Sequence, residues 1–197
     1  MVKRKHLKLI DIPRYESLIL AVMRAWKNVK KGRYNLRNLA LVTVLVYTGC
    51  RLGEALRLRV GDLDTRYRVV KIRQEKKGRE FHRIVPVPSD LFWEILESYL
   101  ARFSNKDMVL FPITDRQARN IVYSFTREYL GRRYRPHSIR HSYAVFLART
   151  TRDLETIRRL LGHSSYTWLK EYLDYTQEDL ERDLRLAFSK LEIEYLV

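Results

Sequence analysis

Apolar positions recur at helical spacing over most of this chain and alternate, strand-like, in one place. Leu18, Val22, Trp26 and Val29 return every three or four residues, which predicts an amphipathic helix from Pro13 to about Val29. Asn35 is placed to cap the next helix, whose stretch from Leu39 to Tyr47 is apolar nearly all round, the pattern of a buried core helix stopped by Gly49. Val69 to Arg73 and Phe81 to Val87 read as two strands around Glu75 to Arg79, where Gly78 supplies the turn. Ser89 opens a helix through Arg102, with Leu91, Ile95, Tyr99 and Leu100 or Phe103 on its buried side. Thr114 and Gln117 form a capping box for another that runs to Tyr129 and ends at Gly131. Pro136 starts the next, since proline suits a first helical position. Asp153 caps a shorter helix with the stripe Leu154, Ile157, Leu160 and Leu161, ended by Gly162. Tyr172 lies in a short helical pattern, and Thr176 with Asp179 marks a last start, followed by the stripe Leu180, Leu184, Phe188 and Leu191. The fold class read from these elements is mainly α with a small antiparallel β-sheet.

Composition adds one decisive number. The 197 residues suit one domain, and 46% apolar content is enough for a real core. Against 23 acidic residues stand 39 Lys plus Arg, a formal net charge of +16, which predicts a polyanionic partner with nucleic acid as the default. A single cysteine, Cys50, rules out an internal disulfide and fits an intracellular protein. No apolar run approaches the ~20 residues of a membrane helix and no signal peptide is visible, so the expected location is the cytoplasm, with the nucleoid.

The candidate chemistry sits mostly between Pro136 and Tyr175. His137 and Arg140 are three apart on one helix face, pairing a titratable imidazole with a permanent cation whose planar fork suits two oxygens of one phosphate. His163 falls just past a helix end, and Tyr172 follows nine residues later. Arg51 stands where a new helix begins after Gly49, so its guanidinium adds to the free backbone N–H groups there as an anion site. Glu54, three residues on, is read as its ion-pair support. His141 is read as structural. No Cys/His spacing or carboxylate cluster suggests a metal.

The run HSIRHSYAVFLARTTRDLETIRRLLGHSS followed by a tyrosine resembles the signature of the tyrosine recombinase (phage integrase) family, whose members cut and rejoin DNA through a 3′-phosphotyrosine. His137, Arg140, His163 and Tyr172 match the pattern H-x-x-R-H, then L-G-H, then the nucleophile. Ser138 stands where an acidic residue is usual. TGCRLGEALRL, from Thr48 to Leu58, resembles the family's first arginine motif, with Arg51 as the phosphate-binding arginine and Glu54 at its acidic position.

The resemblance implies a tyrosine recombinase catalytic-domain fold and a site-specific recombinase of integrase or excisionase type that works without metal or cofactor. Within it Arg51, Arg140 and His163 would donate to the nonbridging oxygens, His137 would act mainly as base, and Tyr172 as nucleophile. A hairpin lysine would protonate the leaving 5′ oxygen; the sequence favours Lys76 and leaves Lys77 open. Tyr166 and Tyr175 are rival nucleophiles, and the interval from His163 favours Tyr172. DNA-backbone contacts are expected among Lys77, Arg79, Arg116, Arg119, Arg132, Arg133 and Arg135. The implied partners are double-stranded DNA and further copies of the chain, as a tetramer on DNA, with no membrane. The domain reading is a basic arm at 1–12, a catalytic domain at 13–175 and a C-terminal helix at 176–197, packed in cis or docked on a neighbouring protomer, without the family's separate N-terminal DNA-clamping domain. The alternatives are a DNA-binding regulator that keeps the fold without cleavage and a type IB-like topoisomerase; the six matching residues in family order argue against the first.

Overall fold

The apolar run behind Asn35 becomes the helix around which the others assemble. The computed structural model describes residues 12–76, 79–151 and 153–162. Helices α1 (Tyr15–Lys30) and α2 (Leu36–Thr48) come first, and Asn35 caps α2 by accepting the Asn38 N–H at 3.2 Å. Every residue from Leu39 to Val46 is buried, because α2 packs against α1 and three later helices, α4 (Asp90–Leu100), α5 (Asp115–Leu130) and α6 (Pro136–Thr151). An all-round apolar surface is what such a position requires. The short α3 (Leu52–Leu56) follows the left-handed Gly49, and α7 (Leu154–Leu161) closes the described part against α6 and the sheet.

The sheet holds one strand more than the alternation predicts. β1 (Leu63–Asp64) adds two residues beside β2 (Val69–Lys76), which pairs antiparallel with β3 (Arg79–Pro86) in the order β1-β2-β3. Two residues are too short for a period to show, so β1 had no signal. The β2–β3 ladder also runs further than expected, to Lys76 opposite Arg79, leaving Lys77 and Gly78 as the connection outside the described residues. Its pleat turns Val70 and Ile72 on β2, and Arg83 and Val85 on β3, into the interior.

Other boundaries shift modestly. α4 begins behind Ser89, whose Oγ accepts the Phe92 N–H, but it ends at Leu100 and buries Phe92, Trp93, Ile95, Leu96 and Tyr99 rather than Leu91. The reason is polar anchoring: the Trp93 indole N–H donates to Val87 O at 2.8 Å and the Tyr99 hydroxyl to Leu110 O at 2.9 Å, which fixes the helix's rotation. The Thr114–Gln117 box, the Gly131 stop and the Asp153 and Gly162 ends of α7 stand as predicted. The N-terminal arm up to Asp11 and everything from His163 onward, including the C-terminal stripe, lie outside the described residues. Among the described residues no helix is long and apolar enough to cross a membrane.

Candidate active site

Three of the predicted catalytic residues line one pocket. Arg51, His137 and Arg140 surround a cavity of about 380 Å³, with Arg119 of α5 and Arg135 just ahead of α6 also on its wall. Local structure explains the convergence. Gly49, at φ 58°, turns the chain back sharply after α2 so that Arg51 faces the first turn of α6, where Pro136 starts the helix that carries His137 and Arg140.

Arg140 is the buried member, only 3% exposed. Its Nη1 donates to Gly49 O and its Nη2 to Leu161 O, each at 2.7 Å, so one guanidinium joins the turn before Arg51 to the end of α7. Burial, then the neighbouring Arg51 cation, pushes its pKa down to about 10, which leaves it charged at neutral pH. Arg51 is the accessible member, with its side chain about half exposed.

Glu54 supports Arg51 through both the arginine's side chain and its backbone. Its Oε2 accepts the Arg51 backbone N–H at 2.8 Å, and its Oε1 accepts Arg51 Nη1 at 3.0 Å. The Arg51 amide, one of the N–H groups at this helix start, is therefore taken by Glu54, and what Arg51 itself offers a ligand is its guanidinium. Arg83 grips the same carboxylate with two nitrogens, at 3.2 and 2.7 Å. Burial works against the charge on Glu54, but the Arg83 hydrogen bonds and cation, with the Arg51 amide, hold its pKa at about 2.

His137 is held below the ordinary imidazole value by burial and by the cations of Arg140 and Arg51. His141 meets it edge to face at 4.2 Å between ring centroids and is pushed lower still, to about 4, by burial, His137 and Arg140. At neutral pH His137 is thus a neutral imidazole with a lone pair available, the state a proton acceptor needs. An anion drawn between the two arginines would oppose the field that depresses it.

The remaining candidates divide. Arg116 is exposed away from the cavity, while Arg133 and Arg132 lie over the Tyr123 and Tyr134 rings, at 4.7 and 5.5 Å from ring centroids, and do not line the pocket. Lys76 ends β2 and Arg79 begins β3, as cross-strand partners; their side chains are outside what is described. Lys77, His163, Tyr172 and the rivals Tyr166 and Tyr175 lie outside the described residues. Among those described, no group of three or more His, Cys, Asp or Glu could hold a metal ion. Sequence reading missed Arg83 and Gln74. Both are in phase with inward-facing Ile72 and Val85, and that register was the available signal.

A model of the phage integrase family matches residues 17–179. The chain belongs to this family. Among curated members, the tyrosine recombinase XerC of Staphylococcus saprophyticus is 30% identical over 180 residues, covering 85% of this chain and 58% of that one. XerH of Campylobacter jejuni is 25% identical over 171 residues, covering 83% and 48%. The chain spans about half the length of the curated relatives it matches. A crystal structure of the XerH site-specific recombinase bound to its difH substrate, a pre-cleavage complex, superposes with TM-score 0.72 at 25% identity, over 92% of this chain and 56% of that one. XerA, at 23% identity and TM-score 0.66 over 93% and 65%, shares the fold. The tyrosine recombinase catalytic-domain fold expected from the motifs is therefore the fold of this chain.

Proposed function

We propose that this integrase-family chain is a site-specific recombinase that breaks and rejoins double-stranded DNA through a covalent 3′-phosphotyrosine at Tyr172, without metal. The observation that carries the reading is the shared pocket of Arg51, Arg140 and neutral His137, two cations beside a proton acceptor. In its support, XerH relatives have been solved with difH DNA in pre-cleavage and post-cleavage complexes.

A free tyrosine is only about 0.1% ionised at neutral pH. Attack on phosphorus therefore needs charge stabilisation, and Arg51 and Arg140, with His163, donate to the nonbridging oxygens of the pentacoordinate transition state. The phenolic oxygen of Tyr172 forms a bond to phosphorus as the bond to the 5′ oxygen breaks. His137 takes the phenolic proton, and Lys76 or Lys77 protonates the departing 5′ oxygen, which leaves as a hydroxyl. Rejoining runs the same steps backward with a new 5′ hydroxyl. Four copies acting on paired duplexes would complete an exchange, with Arg119 and Arg135 on the wall of the pocket meeting the adjoining backbone.

The test is incubation with a labelled pool of nicked suicide duplexes of randomised sequence. A denaturation-resistant adduct is expected, insensitive to chelator and lost in Tyr172→Phe. No adduct on any member of the pool refutes the reading. An adduct that relaxes supercoils but never exchanges strands would turn it toward a topoisomerase.

A further inference from the structure

The end of α7 is held by an arrangement that core packing alone does not require. The last carbonyls of a helix lack partners within it, and at this end three different side chains take them in succession. Arg83 Nε donates to Leu160 O at 2.9 Å, Arg140 Nη2 to Leu161 O at 2.7 Å, and Gln74 Nε2 to Gly162 O at 3.4 Å. The donors come from β3, α6 and β2. Gly162, at φ 65°, comes so close to Gln74 that a Cβ there would stand 1.8 Å from its Nε2.

Two of the three donors also reach Glu54: Arg83 through both terminal nitrogens, and Gln74 through Nε2 at 3.4 Å. Glu54 in turn holds Arg51. A single buried side chain, Arg83 at 9% exposure, therefore spans from the carboxylate behind the accessible arginine of the pocket to the helix end from which His163 continues. Its neighbours along the inward face of β3 are apolar, and a buried ion pair is often replaceable by packed hydrophobic residues without loss of stability. The fold needs a partner for buried Glu54, but the pair as a whole is not the only stable way to fill this space.

We propose that Arg83 is a positioning residue of the phosphate site. By gripping Glu54 and the Leu160 carbonyl at once, it sets Arg51, held by Glu54, in register with the end of α7, whose Leu161 carbonyl holds Arg140, so that the two phosphate-binding arginines stand at a fixed spacing. Gln74 assists by holding the Gly162 carbonyl against the same carboxylate. This rests on the recombinase reading.

The test compares the full chain with Arg83→Met and Arg83→Lys. Lysine keeps a positive charge beside Glu54 and should fold, but a single ammonium cannot reproduce the three-nitrogen span. Amide hydrogen exchange in the free protein should rise in the peptide that covers Arg158 to His163 in both variants and stay unchanged in α2. On the nicked duplex pool, adduct formation should slow roughly 10- to 100-fold, as for reacting groups misplaced by about an ångström, while duplex affinity stays within about 2-fold because the phosphate cations remain. Lysine should recover part of the rate lost in methionine. Unchanged exchange at the end of α7, an unchanged adduct rate, or a rate lost only in step with DNA affinity would each overturn the assignment. If the unaltered chain forms no adduct at all, the recombinase reading fails first and takes the role of Arg83 in catalysis with it, whatever the exchange measurement gives.

Discussion

Replacing Glu54 by glutamine tests how the buried carboxylate holds the site together. The side chain is 5% exposed and takes five hydrogen bonds, from the Arg51 amide and guanidinium, two nitrogens of Arg83 and Gln74. A carboxyl moved from 4.5 to about 2 corresponds to about 3 kcal/mol in favour of the ionised form in the folded chain. That agrees with the ~3–5 kcal/mol lost when one partner of a buried pair is removed. Most of it belongs to Arg83, since Arg51 is half exposed and water screens its share. Glu54→Gln should therefore lower unfolding free energy by about 3 kcal/mol at neutral pH. The folded carboxyl binds its proton less tightly than the unfolded one, so the contribution is whole above 4.5 and is lost as pH falls toward about 2. At about pH 3 only ~1 kcal/mol should still separate the two proteins. Urea unfolding followed by the fluorescence of buried Trp26 and Trp93 measures both gaps. A difference below about 1 kcal/mol at neutral pH, or one that keeps its size in acid, would refute the reasoning.

Two further outcomes follow from the same geometry. Gly162→Ala would force a side chain into the left-handed region, at about 1–2 kcal/mol, and drive it into Gln74; a thermal melt should fall, and an unchanged melting temperature would mean that the end of α7 is not tied down as described. Affinity for a mixed-sequence duplex should drop by ~10³ to 10⁵ between about 50 and 200 mM salt in a filter-binding series, and a flat response would remove the electrostatic interface.

Periodicity revealed the helices because each buries a stripe of apolar residues, or in α2 its whole circumference. Motif spacing brought out Arg51, His137 and Arg140 because their positions follow from helix starts, which Gly49 and Pro136 mark in the sequence. What stayed hidden depends on pairing between distant residues. Arg83 sits in the charged run REFHR and reads like any solvated cation until the register places it opposite Ile72 on the inward face. Gln74 was hidden for the same reason, since a polar residue near a hairpin tip is ordinarily exposed. β1 exists only because β2 offers it an edge, and the partner of the Arg51 amide turned out to be a side chain three residues along rather than a ligand.

The depressed His137 makes DNA binding a proton-coupled event with a fixed sign. After burial, the causes are the cations of Arg140 and Arg51, the groups a phosphodiester would neutralise. Binding should therefore raise the imidazole's pKa, and a group that holds its proton more tightly in the complex makes binding stronger as pH falls. The gain is complete below the free-state value, which lies under 6.5, and vanishes as pH rises through the value in the complex. His141 lies against His137 and titrates lower, near 4, so it stays neutral across that window. Phosphodiesters do not titrate there either, which leaves His137 as the source of uptake among the described histidines at the pocket. Calorimetric titration of one duplex at about pH 6, in two buffers of different ionisation enthalpy, counts the protons directly. Net uptake is expected, and it should disappear in His137→Gln while the salt dependence persists. Release of protons, or uptake that survives the substitution, would mean that the phosphate does not come to rest between Arg51 and Arg140.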